Sequence, residues 1–529
     1  MIKQLALATF ALCSSLALVQ PAPAQTLTTL YSFCTQGSSS NCPDGAEPVA
    51  ALVQATNGEF YGTTLSGGTA IYNDKPVNAG TAFKITPSGN LTTVHSFCAD
   101  MTTTGECADG NSPYGGLVQA TNGILYGTTA IGGAKNSGTV YSITLSGAET
   151  VLYNFCKTKG AHDMCLDGND PLGGLVQATN GFLYGTTAFG GTSTTAYQYG
   201  AGGTVFRIAP TNALHGSIET LHSFCNEVNC ADGGVPEYSL VQTPGGELYG
   251  TTLFGGTGFN LNGTVFKMTP GGVEALLYSF IDPPLLECPV GSQPNGLVQA
   301  TDGNLYGSTE YCGNNDGGII VRVAPSGLAS QIYEFGFGDN CSVNCYANGD
   351  SPNTLIQATD GNFYGTTYGG GNVGTGVNNG QGTIFNITPE GVLTTLYTFC
   401  STAQCADGAN PAAALVQGTD GDFYGTTYNG GSAAGISAGG GTVFRFSAGL
   451  APFVKTLTKS GSVGASVKIL GNALEGTKSV TFNGTSALFK VASDSEITTT
   501  VPSGATTGTV TVTTPSGLLS SNTPFTVLE

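Results

Sequence analysis

Seven times this chain returns to one phrase: Leu-Val-Gln-Ala-Thr-Asn/Asp-Gly, two further residues, Tyr-Gly-Thr-Thr, then a few glycines. The copies begin at Leu52, Leu117, Leu175, Leu240, Leu297, Leu355 and Leu415, spaced 65, 58, 65, 57, 58 and 60 residues apart. A fixed period in this range marks one supersecondary unit stacked on copies of itself, each covering the face its neighbour leaves open.

The third copy shows what the unit is. Residues 174–179 form a short apolar-polar run, a first strand. Asn180-Gly181 is a hairpin signal, read as a type I′ turn with positive φ at both central residues. Residues 183–187, 203–208 and 219–224 supply three more strands, joined by a glycine-rich loop and a proline-containing turn. Four strands of five or six residues are expected, apolar or small on both faces and therefore covered on both sides.

The ends of the array decide the topology. The seventh copy has a third strand at 442–446 but no fourth. The missing one lies at the other end: Leu-Thr-Thr-Leu-Tyr-Ser-Phe at 27–33 matches Leu-Thr-Thr-Leu-Tyr-Thr-Phe at 393–399. A closed ring uses such a shift, because the N-terminal strand completes the last unit. An open solenoid would gain nothing from it. The expected fold is all-β: a seven-bladed β-propeller over residues 25–449, followed by an immunoglobulin-like β-sandwich over 450–529.

Composition agrees. Glycine accounts for 81 of 529 residues, yet 40% are hydrophobic, so many short strands joined by glycine turns explain both figures. Lys and Arg total 15 against 34 acids, a net charge of -19. Such a surface repels phosphate backbones and anionic bilayers, so nucleic acid is not expected as a partner. Residues 1–24 read as a secretory signal: Lys3, an apolar stretch from Leu5 to Val19, and Ala22-Pro23-Ala24 before the cleavage point. Leu12 before Cys13 argues against lipid attachment there. No later run approaches ~18 apolar residues, so the mature chain is expected to carry no transmembrane segment.

Cysteine usage points to the same compartment. Twelve cysteines fall in close pairs at one place in the repeat: Cys34 and Cys42, Cys98 and Cys107, Cys156 and Cys165, Cys225 and Cys230, Cys341 and Cys345, Cys400 and Cys405. In an exported chain these read as local disulfides. No histidine clusters with them, so no metal is expected. The fifth unit has Cys288 in the usual loop and Cys312 in another loop of the same face, and these two are expected to pair.

The Leu-Tyr-Gly-Thr-Thr and Gly-Thr-Val-Phe motifs resemble the GloVer tandem repeat over about residues 27–446. That resemblance implies an exported bacterial protein of a family with varied C-terminal anchors, and it brings no established reaction. No recognisable anchor follows the array. Beyond about Leu450, valine and threonine alternate instead. Gly461 and Gly464, Phe482-Asn483-Gly484, Ser493-Asp494, Val501-Pro502 and Phe525-Thr526-Val527 resemble the IPT/TIG domain. This implies a spacer, a dimer contact or a ligand-binding appendage.

Candidate chemistry is sparse. Propeller strands alternate direction, so the fourth-to-first and second-to-third loops share one face, together with the cysteine pairs. Asp44, Asp109, Asp167, Asp232 and Asp407 follow most of those pairs in Asp-Gly turns, with Asn348 and Val290 in the sixth and fifth units. One carboxylate per unit suits turn chemistry better than a calcium site. Gln54, Gln119, Gln177, Gln242, Gln299, Gln357 and Gln417 occupy one position of the first strand, where a buried amide satisfies backbone groups. His95 and His222 replace the packing residues Tyr31, Tyr153, Tyr278, Tyr333 and Tyr397. His162 and His215 are isolated in loops. No catalytic constellation and no cofactor motif emerge.

The fifth unit departs from the pattern at Glu310, Tyr311 and Asp316. With Tyr72, Tyr197, Tyr199, Tyr368 and Tyr428 in equivalent loops, these residues could bind sugar rings. The expected function is an exported, non-catalytic binding or scaffold protein whose loop-rich face takes an extracellular glycan or an envelope protein. Two alternatives stay open: a polysaccharide lyase or hydrolase using Glu310 and Asp316, and a structural envelope component.

Overall fold

The computed structural model describes residues 25–35, 42–101, 105–160, 163–193, 202–211, 216–257, 261–280, 291–313, 317–336, 347–371, 380–432 and 439–528. The expected signal at 1–24 lies outside them. Seven antiparallel sheets follow one another, the first built from Val53–Gln54, Phe60–Thr64, Thr81–Ile85 and Leu91–Ser96. The last contains Val416–Gln417, Phe423–Thr427 and Thr442–Ser447, and its outer strand is Thr26–Ser32. The register runs from Thr26↔Ser447 to Ser32↔Thr442. The N-terminal strand therefore completes the seventh blade.

The repeated phrase is accounted for residue by residue in the first blade. Gly58 donates its N–H to Ala55 O at 2.9 Å, and Ala55 to Glu59 O at 2.9 Å. Gly58 has a φ of +80°, and Asn57 is not among the left-handed residues. The hairpin is thus a type I turn closed by a left-handed glycine, not the expected type I′. The Asn side chain makes this geometry favourable: Asn57 Oδ1 accepts from Glu59 N at 3.2 Å, while its Nδ2 donates to Tyr61 OH at 3.0 Å. Gly62 leaves room for two apolar groups, since a Cβ there would lie 2.6 Å from Leu52 Cδ2 and 2.7 Å from Phe83 Cζ. Thr64 and Thr81 join hydroxyls at 2.8 Å across the second and third strands.

The innermost strand is shorter than expected, two residues in the first blade. Glu47, just before Pro48, adopts a φ of +59°, which takes the chain out of the ladder. The same left-handed residue precedes proline at Ser112, Asp170, Val235, Gln293, Ser351 and Asn410. The fifth and sixth copies lack one residue between this proline and the following leucine. There Pro294 pairs with Thr309 and Pro352 with Thr367, and the ladder extends.

Three sets of contacts run from blade to blade. The left-handed residue donates to the preceding blade: Ser112 N to Ala79 O at 2.9 Å, and across the seam Glu47 N to Gly440 O at 2.9 Å. The proline ring then covers a glycine of that blade, as Pro113 covers Gly80 and Pro48 covers Gly441. The glutamines form the third set. Oε1 of Gln119, Gln177, Gln242, Gln357 and Gln417 accepts from the backbone N–H of Thr56, Thr121, Thr179, Thr301 and Thr359, each in the preceding blade. Gln54 takes Thr419 across the seam. For Gln299, the repeat position of the donating threonine in the preceding blade is Pro244, which has no N–H to give. Aromatic cores fill each interface, such as Phe60, Phe83, Tyr424 and Val443 between the seventh and first blades.

Residues 452–528 form two four-stranded sheets and a two-stranded one around Val467, Ile469, Val480, Phe482, Ile497, Val510, Val512 and Phe525. This sandwich rests on the Asn/Asp-Gly hairpins of neighbouring blades. Ser495 Oγ donates to Thr56 O at 2.8 Å, and Phe453 N to Thr419 O at 3.0 Å. Those hairpins lie at the opposite end of the strands from the cysteine loops, so the sandwich leaves the cysteine face open.

Candidate functional site

Disulfides join Cys34–Cys42, Cys98–Cys107, Cys156–Cys165, Cys225–Cys230 and Cys400–Cys405, with Cα atoms 3.9–4.6 Å apart. Cys312 is also disulfide-bonded. Its expected partner Cys288, like Cys341 and Cys345, lies outside the described residues. The turn aspartates serve their own loops. Asp167 Oδ2 accepts from Tyr153 OH at 2.7 Å and Lys157 N at 2.9 Å. Asp407 Oδ2 accepts from Tyr397 OH at 2.7 Å and Ser401 N at 2.9 Å. His95 Nε2 lies 3.1 Å from Asp109 Oδ2, so this histidine keeps the bond a tyrosine makes elsewhere. Burial pushes the Asp232 and Asp407 carboxyls up, but donated hydrogen bonds outweigh it and hold both below the usual range. Asp167, Asp232 and Asp407 have both carboxyl oxygens engaged by their own loops, which supports the turn reading over a calcium ring, whereas Asp44 and Asp109 each keep one buried Oδ1 without a partner.

On this face a cavity of ≈350 Å³ opens where the segments ahead of all seven innermost strands meet. That volume falls within the ~300–1,000 Å³ typical of small-ligand sites. Small residues form most of the wall, including Ala50, Gly115, Gly173 and Ala413. Three larger side chains interrupt it: Tyr114, Glu237 and Tyr238. Tyr238 is fixed by donating its OH to Asn295 Oδ1 at 2.6 Å, and Asn295 is itself held by Ser308 Oγ and Pro352 O. The shortened fifth copy places that asparagine.

The electrostatics tie the wall to the loop residues singled out in the sequence. Burial raises the Tyr114 phenol, and the charges of Glu237 and Glu310 raise it further, with Tyr428 and Tyr368 adding to the effect. Burial raises Tyr238 as well, followed by Glu310, Glu237, Tyr114 and Tyr311. Burial and then the charge of Glu310 push Glu237 up to about 7. Tyr428 is raised by burial and by Glu47. Glu310, Tyr368 and Tyr428 each follow the Thr-Thr (or Ser-Thr) pair of their blades, so the ring brings one register position together three times. Tyr114, Tyr311 and Tyr368 stay 43%, 42% and 41% exposed.

Glu310, Tyr311, Tyr368 and Tyr428 are not among the residues lining the cavity; Glu310, Tyr368 and Tyr428 act electrostatically on Tyr114, and Glu310 and Tyr311 on Tyr238. Tyr72 does not line the cavity either; it stands on the hairpin Ile71–Tyr72 and packs its ring on Gly105. Asp316, Tyr197 and Tyr199 lie outside the described residues, as do His162 and His215. Sequence reasoning missed Tyr114, Glu237 and Tyr238. The signal was present in the repeat: Pro-Glu-Tyr-Ser at 236–239 replaces the Pro-Leu-Gly-Gly of 171–174.

The Gloeobacter/Verrucomicrobia repeat matches residues 17–165, 162–344 and 239–489, and so covers most of the chain. The chain belongs to that repeat family. An IPT/TIG domain matches residues 452–527, over the sandwich just described. No curated protein matches the chain significantly. Among solved structures, a fungal alcohol oxidase of the AA5 family in complex with copper is similar at 11% identity and TM-score 0.49, covering 96% of this chain and 100% of that one. A putative 6-phosphogluconolactonase from Bacteroides uniformis is similar at 16% identity and TM-score 0.38, covering 67% and 83%. A protein of unknown function from Bacteroides thetaiotaomicron is similar at 12% identity and TM-score 0.35, covering 81% and 99%. The repeat and the IPT/TIG domain together describe a β-rich protein of surface or binding type. The disulfides are consistent with export, and among the described residues no helix is long and apolar enough to cross a membrane.

Proposed function

We propose that this chain is an exported binding or scaffold protein whose propeller, residues 25–449, takes a glycan or protein ligand in the axial cavity of its cysteine face. The sandwich from residue 450 spaces or attaches it. One observation carries this reading. The repeated residues serve the fold, whereas the departures Tyr114, Glu237 and Tyr238 line one cavity, with Glu310, Tyr368 and Tyr428 in electrostatic range of Tyr114. Exposed tyrosine faces beside carboxylates suit sugar rings and their hydroxyls. The disulfide-braced loops keep the rim rigid, which limits the ordering entropy lost on binding. A glycan array and a pull-down from an envelope extract test it; blank results in both remove it.

A polysaccharide-active enzyme is a second reading, favoured by Glu237. Burial and then the charge of Glu310 push its carboxyl up to about 7, the range a general acid requires. Release of reducing ends or unsaturated products from a polysaccharide panel, lost in Glu237→Gln, supports that reading. No turnover across the panel leaves binding alone.

A further inference from the structure

We infer that the axial cavity selects a glycan bearing free amino groups, an oligomer of glucosamine type, over neutral N-acetylated and acidic glycans. The inference rests on the binding reading above and adds the charge class of the ligand.

The wall and rim carry charge of one sign. Glu237 lines the cavity, Glu310 acts on both Tyr114 and Tyr238, and Glu47 acts on Tyr428 at the rim. None of the described lining residues is Lys, Arg or His. The formal charge of -19 adds a long-range field of the same sign. A uronate or sulfated sugar would meet two carboxylates with no cation to receive it. A neutral sugar would leave the Glu237–Glu310 repulsion in place. An ammonium group placed between them removes that repulsion and pairs both charges in a half-buried site.

The aromatic residues point the same way. Tyr114 and Tyr238 line the same cavity as Glu237, and the negative face of a tyrosine ring attracts a cation as well as the apolar face of a sugar. Glu237 serves as the sensor of this arrangement. Burial raises it first and the charge of Glu310 adds to that, and a bound ammonium supplies a counter-charge. Binding of an ammonium group therefore favours the ionised Glu237 and releases a proton from its carboxyl below about pH 7.

The test compares three probes on the full mature chain by calorimetry at about pH 6, where the sugar amines carry their charge: a fully deacetylated glucosamine tetramer, its N-acetylated counterpart and a galacturonate tetramer. The amino tetramer is expected to bind about tenfold tighter than the acetylated one, with the uronate weakest. Glu237→Gln and Glu310→Gln should each bring the amino-to-acetyl ratio down toward one, in protein whose thermal melt matches the parent. Acetylated or acidic tetramer bound as well as the amino tetramer overturns the charge inference and leaves glycan binding standing. No binding of any tetramer at millimolar concentration overturns both. The probe comparison on the parent chain decides the matter even where a variant fails to fold.

Discussion

Gln54 Oε1 accepts the backbone N–H of Thr419 at 3.0 Å, across 365 residues of chain. Its Nε2 returns a bond to Thr419 Oγ1 at 3.2 Å. The same exchange recurs between Gln417 and Thr359 and between Gln119 and Thr56, so the seam of the ring is built like its other interfaces.

Gln54→Ala should therefore destabilise the ring by about 1–3 kcal/mol, because it leaves a buried N–H without an acceptor. Gln299→Ala should cost less than half as much, since Pro244 offers no N–H to orphan. Urea denaturation of the two variants beside the parent checks this. Equal losses would mean that the cross-blade bond is not the source.

Two glutamates occupy positions that are apolar in most other blades. Glu149 and Glu274 align with Leu27, Leu91, Ile218 and Leu393, and each has a buried Oε1 without a partner. Burial, followed by Asp109 and Asp100, pushes Glu149 up to about 8; burial also dominates for Glu274, at about 7. A raised carboxyl stabilises the fold in its protonated form. That contribution is present below the unfolded value of about 4.5 and is lost as pH rises to about 8. Glu149→Gln should gain on the order of 1–2 kcal/mol at pH 8.5, after allowance for partial solvent screening, and almost nothing at pH 4.5. Melting profiles against pH for parent and variant should converge at the acid end.

The cysteine loops brace the rim without holding the ring together. Cys98 and Cys107 are nine residues apart, with Cα atoms at 4.3 Å. Closing so short a loop contributes at most ~2–3 kcal/mol. The double variant Cys98→Ser/Cys107→Ser should keep its far-ultraviolet circular dichroism and melt a few degrees lower. Loss of the β signal would show that folding depends on the bridge.

Gly62 is needed for space. A Cβ there meets Leu52 and Phe83 at 2.6 and 2.7 Å, both in the core between the seventh and first blades. Gly62→Ala should cost roughly 1–3 kcal/mol through overpacking. Adding Leu52→Ala should recover part of that loss, which a double-mutant cycle measures.

Much of this architecture was legible because its causes are local and repeated. The Tyr-Gly-Thr-Thr strands and the orphan segment at 27–33 declare seven blades and their closure, since strand pattern depends on neighbours two residues apart. The hairpin was misread for a reason equally local. Asn57 stays right-handed because its side chain caps Glu59 and holds Tyr61, and dipeptide identity alone does not report that. The short innermost strands were hidden too, because left-handed backbone before a proline runs against that residue's usual preference.

The site belongs to the tertiary structure. Tyr114, Glu237, Glu310 and Tyr428 lie in four different repeats, and nothing within any one repeat marks them as neighbours. Periodicity in the chain dictates the wheel, because each blade repeats one set of short-range contacts. Only closure of the wheel brings their carboxyl and phenol groups within electrostatic range at the axis, where burial and mutual charge give them properties that none has alone.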